Sequence, residues 1–232
     1  MGLHLRKERL ENITATEMSA ILGVNPYNTA SSVLKKKLDP QPIESIHLRR
    51  GHLMEPAVLE ALHMDLGWNT IRHEGGTLVL KKNRIAATPD AYLSDKSALI
   101  ECKSIGYKSF DKWYKEPPIQ YHVQAAVQMM VTGIHKSYVA ALEAGDPYDC
   151  EWRLVVWQVF RDQELENVMK EASLKFWEYA SRKKMMKANK ETRELVKGLV
   201  EANRELIYPD KSLLPKEESH EDKVSKLLSL FE

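Results

Sequence analysis

A pattern of two acids and a lysine restricts the fold of this 232-residue chain more than any other feature. Pro-Asp is followed by ten intervening residues and then by Glu-x-Lys, which gives Asp90, Glu101 and Lys103. The stretch 99-LIECK-103 alternates as a β-strand does, with Glu101 and Lys103 on one face. The preceding ATPDAYL is also strand-like and LSDKS is typical of a turn, so we expect Asp90 to lie beside Glu101 across a hairpin or strand pair.

The same spacing occurs a second time, at Asp210, Glu221 and Lys223. There the sequence KSLLPKEESHEDK contains Pro215 and a run of charges, which favour a solvated loop or the end of a helix. We therefore interpret the second match as polar surface and the first as the candidate site.

The residue types of the first match suit hydrolysis of a phosphodiester. Asp90 and Glu101 supply hard oxygen ligands for Mg²⁺, and a strand carbonyl such as that of Cys102 can complete the shell. Lys103 would position and acidify the attacking water while it balances negative charge. Two surface acids in an ion pair with a lysine are the alternative interpretation.

Hydrophobic periodicity and turn residues predict an α/β fold, a mixed central β-sheet flanked by helices. Thr14 and Glu17 match a capping box, and Pro56 fits the first turn of a helix, with Glu55 at or just before its start. The predicted helices lie in 12–27, 29–39, 56–68, 117–133, 164–184 and 190–206, and the predicted strands in 77–83, 84–93, 98–104, 137–145 and 151–162. We predict one domain over 1–232, with a motif-bearing core at about 9–162 and a helical extension at about 163–232.

Composition excludes several classes of protein. The formal net charge of +1 gives no global argument for nucleic acid, although a local basic surface could bind it. Two cysteines cannot form a disulfide framework or a four-cysteine metal site. The N-terminal MGLHLRKERLENIT contains no apolar signal core, and no window approaches the length of a membrane span, which predicts a reducing, cytosolic location and no membrane partner.

Four ordered motifs between Arg9 and Gly133 resemble those of the PD-(D/E)xK nuclease superfamily, and within it the lambda-exonuclease/YqaJ-like phage recombination nucleases. They are RLENITATEMSAILGVNPY, GHLMEPAVLEAL, ATPDAYL with IECKS, and YHVQAAVQMMVTG. The resemblance implies a restriction-endonuclease-like core. It also implies that Asp90 and Glu101 are metal ligands with the Cys102 carbonyl beside them.

The same resemblance assigns Lys103 as the catalytic lysine and places Gln124 near the attacking water or the scissile phosphate. Gln120, Gln124 and Gln128 share one helix face, for which a solvated polar stripe is the alternative. Ala126 departs from the family, in which many relatives have a second glutamine, and this affects the expected substrate contacts rather than the metal site.

Glu55 matches an upstream acid that contributes to metal binding in the family. No acid lies between Gly76 and Asp90 to match a further carboxylate of some members, so a second metal would rest on Glu55 and Asp90. A capping glutamate is the alternative for Glu55. The resemblance implies a two-metal Mg²⁺ site in which Mn²⁺ can substitute.

Arg9 and Thr16 match residues that contact the terminal 5′-phosphate of DNA in the family. Thr16 falls in the first turn of a capped helix, where free N–H groups favour an anion; a helix cap with a surface arginine is the alternative. Nearby, Lys35, Lys36 and Lys37 are interpreted as a solvated helix face, with contacts to the DNA backbone as the alternative.

The activity implied by the resemblance is 5′→3′ digestion of one strand of linear double-stranded DNA to 5′-mononucleotides, leaving a 3′ overhang for annealing-type recombination. A ring-shaped homotrimer and a single-strand annealing protein are implied partners, and a phage or prophage protein in the bacterial cytoplasm is the implied setting. Two alternatives remain: an endonuclease of the same superfamily, and an inactive protein that binds DNA ends.

Overall fold

The computed structural model describes residues 7–40, 46–143 and 152–209. The helices within these ranges are α1 (Lys7–Glu11), α2 (Ala15–Ile21), α3 (Ala30–Leu38), α4 (Ile46–Leu66), α5 (Phe110–Lys115), α6 (Ile119–Thr132), α7 (Gln163–Ser181) and α8 (Lys190–Ala202). The strands are β1 (Ile13–Thr14), β2 (Thr70–Arg72), β3 (Leu78–Leu80), β4 (Ile85–Ala87), β5 (Ala91–Leu93), β6 (Leu99–Ile105), β7 (Lys136–Glu143), β8 (Leu154–Phe160) and β9 (Arg204–Tyr208). The predicted class, a mixed sheet flanked by helices, is confirmed.

The larger sheet has six strands in the order β2-β5-β6-β7-β8-β9. Strands β6 and β7 run parallel, with Glu101 opposite Val139, and the other neighbouring pairs are antiparallel. A smaller sheet, in the order β1-β4-β3, joins the N-terminal segment to the strand that precedes Asp90. The central position of β6 gives the site a rigid support.

The two faces of the larger sheet carry two separate hydrophobic cores. Leu99 and Val139 belong to the core that includes residues of α2, α6 and α7. Ile100 and Cys102 belong to the other, where α4 covers the sheet through Val58 and neighbouring residues. This alternation puts Glu101 and Lys103 on the α6 side, as the period of two predicted.

Two predicted helix boundaries are confirmed by local contacts. Glu17 accepts the backbone N–H of Thr14 through Oε2 at 2.9 Å, which fixes the start of α2. Gly133 ends α6 at φ +79°, a left-handed conformation that glycine adopts without strain, and its N–H donates to the Met129 carbonyl.

The predicted start of a helix at Pro56 is wrong. Helix α4 begins at Ile46 and continues through Pro56, so Glu55 lies in the helix interior. Proline removes the backbone bond to the carbonyl of His52, but Pro56 is on the exposed side, where water can reach that carbonyl. Pro56 therefore marks neither the start of α4 nor a break in it.

Two other segments differ from the expectation. The run 84–93 forms two strands rather than one, because β4 pairs in the smaller sheet and β5 in the larger, with Asp90 in the break between them. The helix expected over 190–206 ends at Ala202, and the following residues form β9 at the edge of the larger sheet.

Asp210, Glu221 and Lys223, the second match to the acid–lysine pattern, lie outside the described residues. Among the helices of the described ranges, none has the length and apolar character that crossing a bilayer requires.

Candidate active site

Glu101 is the centre of the candidate site. Its side chain is fully buried, and its two oxygens accept hydrogen bonds from three side chains. Oε1 accepts from the Lys103 ammonium and from the amide of Gln124, and Oε2 accepts from the amide of Gln128. One cation and two amides therefore hold the charge and the orientation of this carboxylate.

The helix α6 brings the two glutamines to Glu101. Gln124 and Gln128 are four residues apart and so lie on the same helix face, and α6 packs against β6. Gln128 is fully buried, which excludes the solvated-stripe interpretation for that residue. The structure thus confirms the shared face and shows that it points inwards to a carboxylate.

Asp90 lies beside Glu101, as the hairpin prediction required. Its Oδ2 accepts the backbone N–H of Cys102 at 2.8 Å. Burial and, second, the charge of Glu101 together raise the pKa of Asp90 to about 8, although the charge of Lys103 and the hydrogen bond from Cys102 act to lower it. Because the N–H and C=O of one strand residue point to the same edge, the Cys102 carbonyl is directed towards Asp90.

Lys103 remains an ammonium in this environment. Burial acts to lower its pKa, but the carboxylates of Glu101 and Asp90 outweigh burial and hold the pKa above its ordinary value. Its charge rather than a free amine is therefore available for chemistry. The ring of Tyr121 lies 5.0 Å from the ammonium and stacks on Trp113 with ring centroids 5.1 Å apart.

Tyr121 was missed by the sequence reasoning. It is one helical turn before Gln124 and faces Lys103, so the helical spacing that grouped the glutamines could have identified it. Its half-buried ring fixes one side of the lysine side chain.

Glu55 is close enough to the site for its charge to raise the pKa of Asp90. Its own oxygens, however, are engaged by two cationic or potentially cationic side chains: His52 Nδ1 lies 2.8 Å from Oε1, and Arg72 Nη2 lies 3.0 Å from Oε2. In this arrangement Glu55 is a partner of Arg72 rather than a free ligand.

The donors at the site fit one hard divalent cation. In the described part of the chain no group of three or more histidine, cysteine, aspartate or glutamate side chains is arranged to hold a metal. The carboxylates of Asp90 and Glu101 and the Cys102 carbonyl nevertheless form a set of oxygen donors, which Mg²⁺ prefers. The pKa of Asp90 is raised first by burial and second by the charge of Glu101, and a cation bound between the two carboxylates would offset both effects. A second cation would require Glu55 to leave Arg72.

Arg9 lies in α1 and Thr16 in α2, and α2 packs against α6, the helix that carries Gln124 and Gln128. Both are exposed, and within the described residues neither side chain has a hydrogen-bond or ion-pair partner. Lys37 reaches the junction between α1 and α2 from α3 and its side chain is only 4% exposed, so the solvated-face interpretation is wrong for Lys37, while Lys35 and Lys36 are exposed as expected.

Comparison with known proteins identifies a family and one curated relative. A family described as the YqaJ-like viral recombinase domain matches residues 3–135. The "Uncharacterized protein YqaJ" of Bacillus subtilis (strain 168) is 27% identical over 177 residues, which cover 73% of this chain and 53% of that protein. The chain thus spans about half the length of this curated relative.

Solved structures show the same arrangement of elements. The alkaline exonuclease LHK-Exo from Laribacter hongkongensis matches with a TM-score of 0.60 at 17% identity, over 84% of this chain and 96% of that chain. Its complex with dAMP matches with a TM-score of 0.58 at 20% identity over the same shares, 84% and 96%. A phage related exonuclease from Haemophilus somnus 129PT matches with a TM-score of 0.54 at 14% identity, over 74% of this chain and 94% of that chain.

At these identities the likeness to solved structures establishes the fold, which is the restriction-endonuclease-like arrangement expected from the motifs. The family match establishes membership of the family, because residues 3–135 are more than half of the chain and contain every residue of the candidate site. This chain therefore belongs to the YqaJ-like viral recombinase domain family.

Proposed function

We propose that this protein is a divalent-metal-dependent deoxyribonuclease that digests one strand of linear double-stranded DNA in the 5′→3′ direction. It releases 5′-mononucleotides and leaves a 3′ single-stranded overhang for annealing-type recombination. One observation carries the proposal: Lys103 and Gln124 converge on the buried carboxylate of Glu101 while Asp90 lies beside it. The arrangement combines two carboxylates, a permanent cation and an orienting amide at a central strand of the sheet.

Asp90, Glu101 and the Cys102 carbonyl are the groups that would hold Mg²⁺, or Mn²⁺ in its place. When bound, such an ion makes water a better nucleophile at neutral pH and offsets charge on the phosphoryl oxygens. Asp90 must be deprotonated to serve as a ligand, and the adjacent Lys103 favours that form. Glu55 joins the site for a second ion when it leaves Arg72.

Lys103 contributes its charge at the place where the phosphoryl group gains negative charge. Because its pKa is raised, the ammonium stays protonated and can donate to water or to a phosphate oxygen throughout the reaction. Gln124 shares the Oε1 atom of Glu101 with Lys103 and so fixes where the ammonium can lie. The Tyr121 ring limits its movement on the other side.

The direction of digestion depends on recognition of the 5′ end, which we assign to Arg9 and Thr16. Both side chains are exposed and have no partner within the described residues, so they are available to a terminal phosphate. A complex of the structural relative LHK-Exo with dAMP supports the class of product, since dAMP is a nucleoside monophosphate. Recognition of an end favours an exonuclease over an endonuclease.

We further propose a homotrimeric ring around the DNA, a single-strand annealing protein as partner, and a setting in the cytoplasm of a bacterium that carries a phage or prophage. A ring is compatible with the net charge of +1, because only the residues that line the channel need to be basic. Sedimentation as a monomer at working concentration would exclude the ring and leave the chemistry intact.

A time course of digestion tests the activity. Three substrates are compared in Mg²⁺ and in EDTA: linear duplexes with 5′-phosphate or 5′-hydroxyl ends, and a closed circle. We expect Mg²⁺-dependent loss of the linear duplexes, faster with the 5′-phosphate, and an intact circle. Cutting of the circle would move the protein to the endonuclease class, and end binding without digestion in any divalent metal would identify it as an inactive end-binding protein.

A further inference from the structure

Lys37 is a buried lysine in a part of the fold that the metal site does not use. It lies in the last turn of α3 and its side chain is only 4% exposed. The ammonium has three acceptors: the carbonyl of Arg9 at 2.6 Å, the carbonyl of Asn12 at 2.7 Å and Oε2 of Glu17 at 2.6 Å. Since an ammonium has three N–H groups, every donor of Lys37 is used inside the protein.

The three acceptors belong to two short elements that meet at this point. Arg9 is within α1 and Asn12 follows its end, where the last carbonyls of a helix have no partner in the helix itself. Glu17 belongs to α2 and its Oε2 also accepts the N–H of Thr14. Lys37 therefore joins the end of α1 to the start of α2 through a single atom.

Two further cations, Arg9 and Arg84, lie close enough to Lys37 for their charges to affect its pKa. Burial lowers the pKa of Lys37, Glu17 opposes this, and the nearby charges of Arg9 and Arg84 lower it further. Lys37 and Glu17 neutralise each other in their 2.6 Å ion pair. Within the described residues neither Arg9 nor Arg84 is in an ion pair, and Arg84 is held in place by the Glu11 carbonyl at 3.0 Å and by the Trp177 ring at 3.5 Å.

We propose that Lys37 is a positioning residue that fixes the distance between Arg9 and Thr16, so that both can contact one terminal phosphate. The inference rests on the proposed function, because it concerns the phosphate of the DNA substrate. Lys37 itself does not touch the substrate, since its ammonium is fully engaged. Without it, two carbonyls and a carboxylate would face one another with no cation between them, and α1 would move away from α2.

Binding experiments with the full chain separate this role from general stability. Duplexes labelled at the distal end, with a 5′-phosphate or a 5′-hydroxyl, are titrated in EDTA, which prevents hydrolysis, and followed by fluorescence anisotropy. We compare the wild type with Lys37→Met, Lys37→Arg and the control Lys170→Met. The control removes one charge and one ion pair, with Glu166 at 3.1 Å, and lies outside the junction.

We expect Lys37→Met to reduce the preference for the 5′-phosphate about tenfold, as measured by the ratio of the two dissociation constants. The reason is that Arg9 and Thr16 could then no longer both contact the phosphate, and one charge-assisted contact would be lost. Affinity for the 5′-hydroxyl duplex should change by less than about twofold. Lys37→Arg, which keeps the charge and can reach the same acceptors, should recover most of the preference. An equal loss of affinity for both duplexes, or the same loss in Lys170→Met, would overturn the proposal.

The result remains distinguishable from failure of the proposed function. If the wild type prefers 5′-phosphate ends but digests no DNA, the nuclease assignment fails and the comparison of Lys37 variants still applies. If the wild type digests DNA and Lys37→Met keeps the full preference, the positioning role alone is wrong. A wild type that binds both duplexes equally would remove the phosphate site, and the role of Lys37 with it.

Discussion

Gln128 lies one helical turn beyond Gln124 and donates to the oxygen of Glu101 that Gln124 leaves free. The two amides thus engage opposite oxygens of one carboxylate from a single helix face. Lys103 shares the first oxygen, so the oxygen that faces Gln128 depends on this one donor within the described residues. The two glutamines are therefore expected to contribute differently to the stability of the protein, although both donate to Glu101.

We predict that Gln128→Leu destabilises the protein by about 1–3 kcal/mol in EDTA, because one oxygen of a buried carboxylate loses its donor. Gln124→Leu should have the smaller effect on stability, since Lys103 still donates to the other oxygen. Urea unfolding of both variants, followed by circular dichroism, measures the difference. Equal destabilisation of the two variants would contradict this, because it would mean that the hydrogen bonds from Gln124 and Gln128 contribute equally to stability.

Lys103→Met should lower the rate of DNA hydrolysis by about 10²–10³-fold, because it removes the charge that faces the developing charge on the phosphate. DNA binding should persist, since the ends are held elsewhere. Single-turnover digestion of a 5′-phosphorylated duplex measures the rate. Lys112→Met, which removes an exposed lysine from α5, is the matched control and should leave the rate unchanged. Unchanged hydrolysis in Lys103→Met would refute the site assignment.

Binding of a divalent ion should release close to one proton at pH 7. The pKa of Asp90 is raised from 3.8 to about 8, so the folded protein without metal holds a proton that a bound cation displaces. Affinity for Mg²⁺ should therefore rise with pH up to about 8 and then level. The stability of the metal-free protein in EDTA should change in the opposite direction to the Mg²⁺ affinity. Between about pH 4 and about pH 8 the folded protein holds a proton on Asp90 that the unfolded chain lacks, so the free energy of unfolding falls as pH rises through this range.

Calorimetric titration of Mg²⁺ in buffers of different ionisation enthalpy counts the released protons. Asp90→Asn should release none, and Asp95→Asn, which changes an exposed turn residue, should behave as the wild type. Release of no proton by the wild type at pH 7 would mean that Asp90 is already ionised without metal.

Arg72→Met tests whether Glu55 can serve a second metal. Arg72 is half-exposed and its ion pair with Glu55 is worth about 0.5–1 kcal/mol, so its removal should tighten the weaker of two metal affinities by about two- to fivefold. Calorimetry with Mn²⁺ measures both affinities, with Arg49→Met, an exposed change on α4, as the control. One binding event of unchanged affinity in Arg72→Met would mean that Glu55 holds no metal.

The residues that could be predicted from sequence are those whose position depends on local geometry. Glu101 and Lys103 share a face because a strand alternates, and Gln124 and Gln128 share one because a helix repeats. The capping box of α2 is likewise contained within four residues. These features need no knowledge of distant parts of the chain.

The features that were missed depend on partners far away in the sequence. Lys37 resembled its exposed neighbours in the sequence because the carbonyls that accept its hydrogen bonds, those of Arg9 and Asn12, are more than twenty residues away. The contact between Glu55 and Arg72 was also missed, because the two residues meet only in the folded protein. The strand β9 followed a strongly amphipathic helix, and it forms because the edge of β8 offers a partner.

His122 provides a test of stability away from the metal site. It is 1% exposed, and neither ring nitrogen has a hydrogen-bond partner within the described residues. Burial, with a smaller contribution from Arg204, lowers its pKa from 6.5 to about 3. The unfolded chain therefore binds a proton below pH 6.5 that the folded chain does not, and stability is lost as pH falls from 6.5 towards 3.

At pH 5 this linkage costs about 2 kcal/mol relative to pH 7, a difference that His122→Leu should abolish. The other titrating groups are common to both proteins, so the comparison isolates this one histidine. Urea unfolding at pH 7 and pH 5 measures the change, and His135→Gln, at an exposed position, should keep the wild-type dependence. If His122→Leu lost as much stability as the wild type between the two pH values, the pKa of His122 would not be lowered by folding, and the buried ring would have a hydrogen-bond acceptor for its proton.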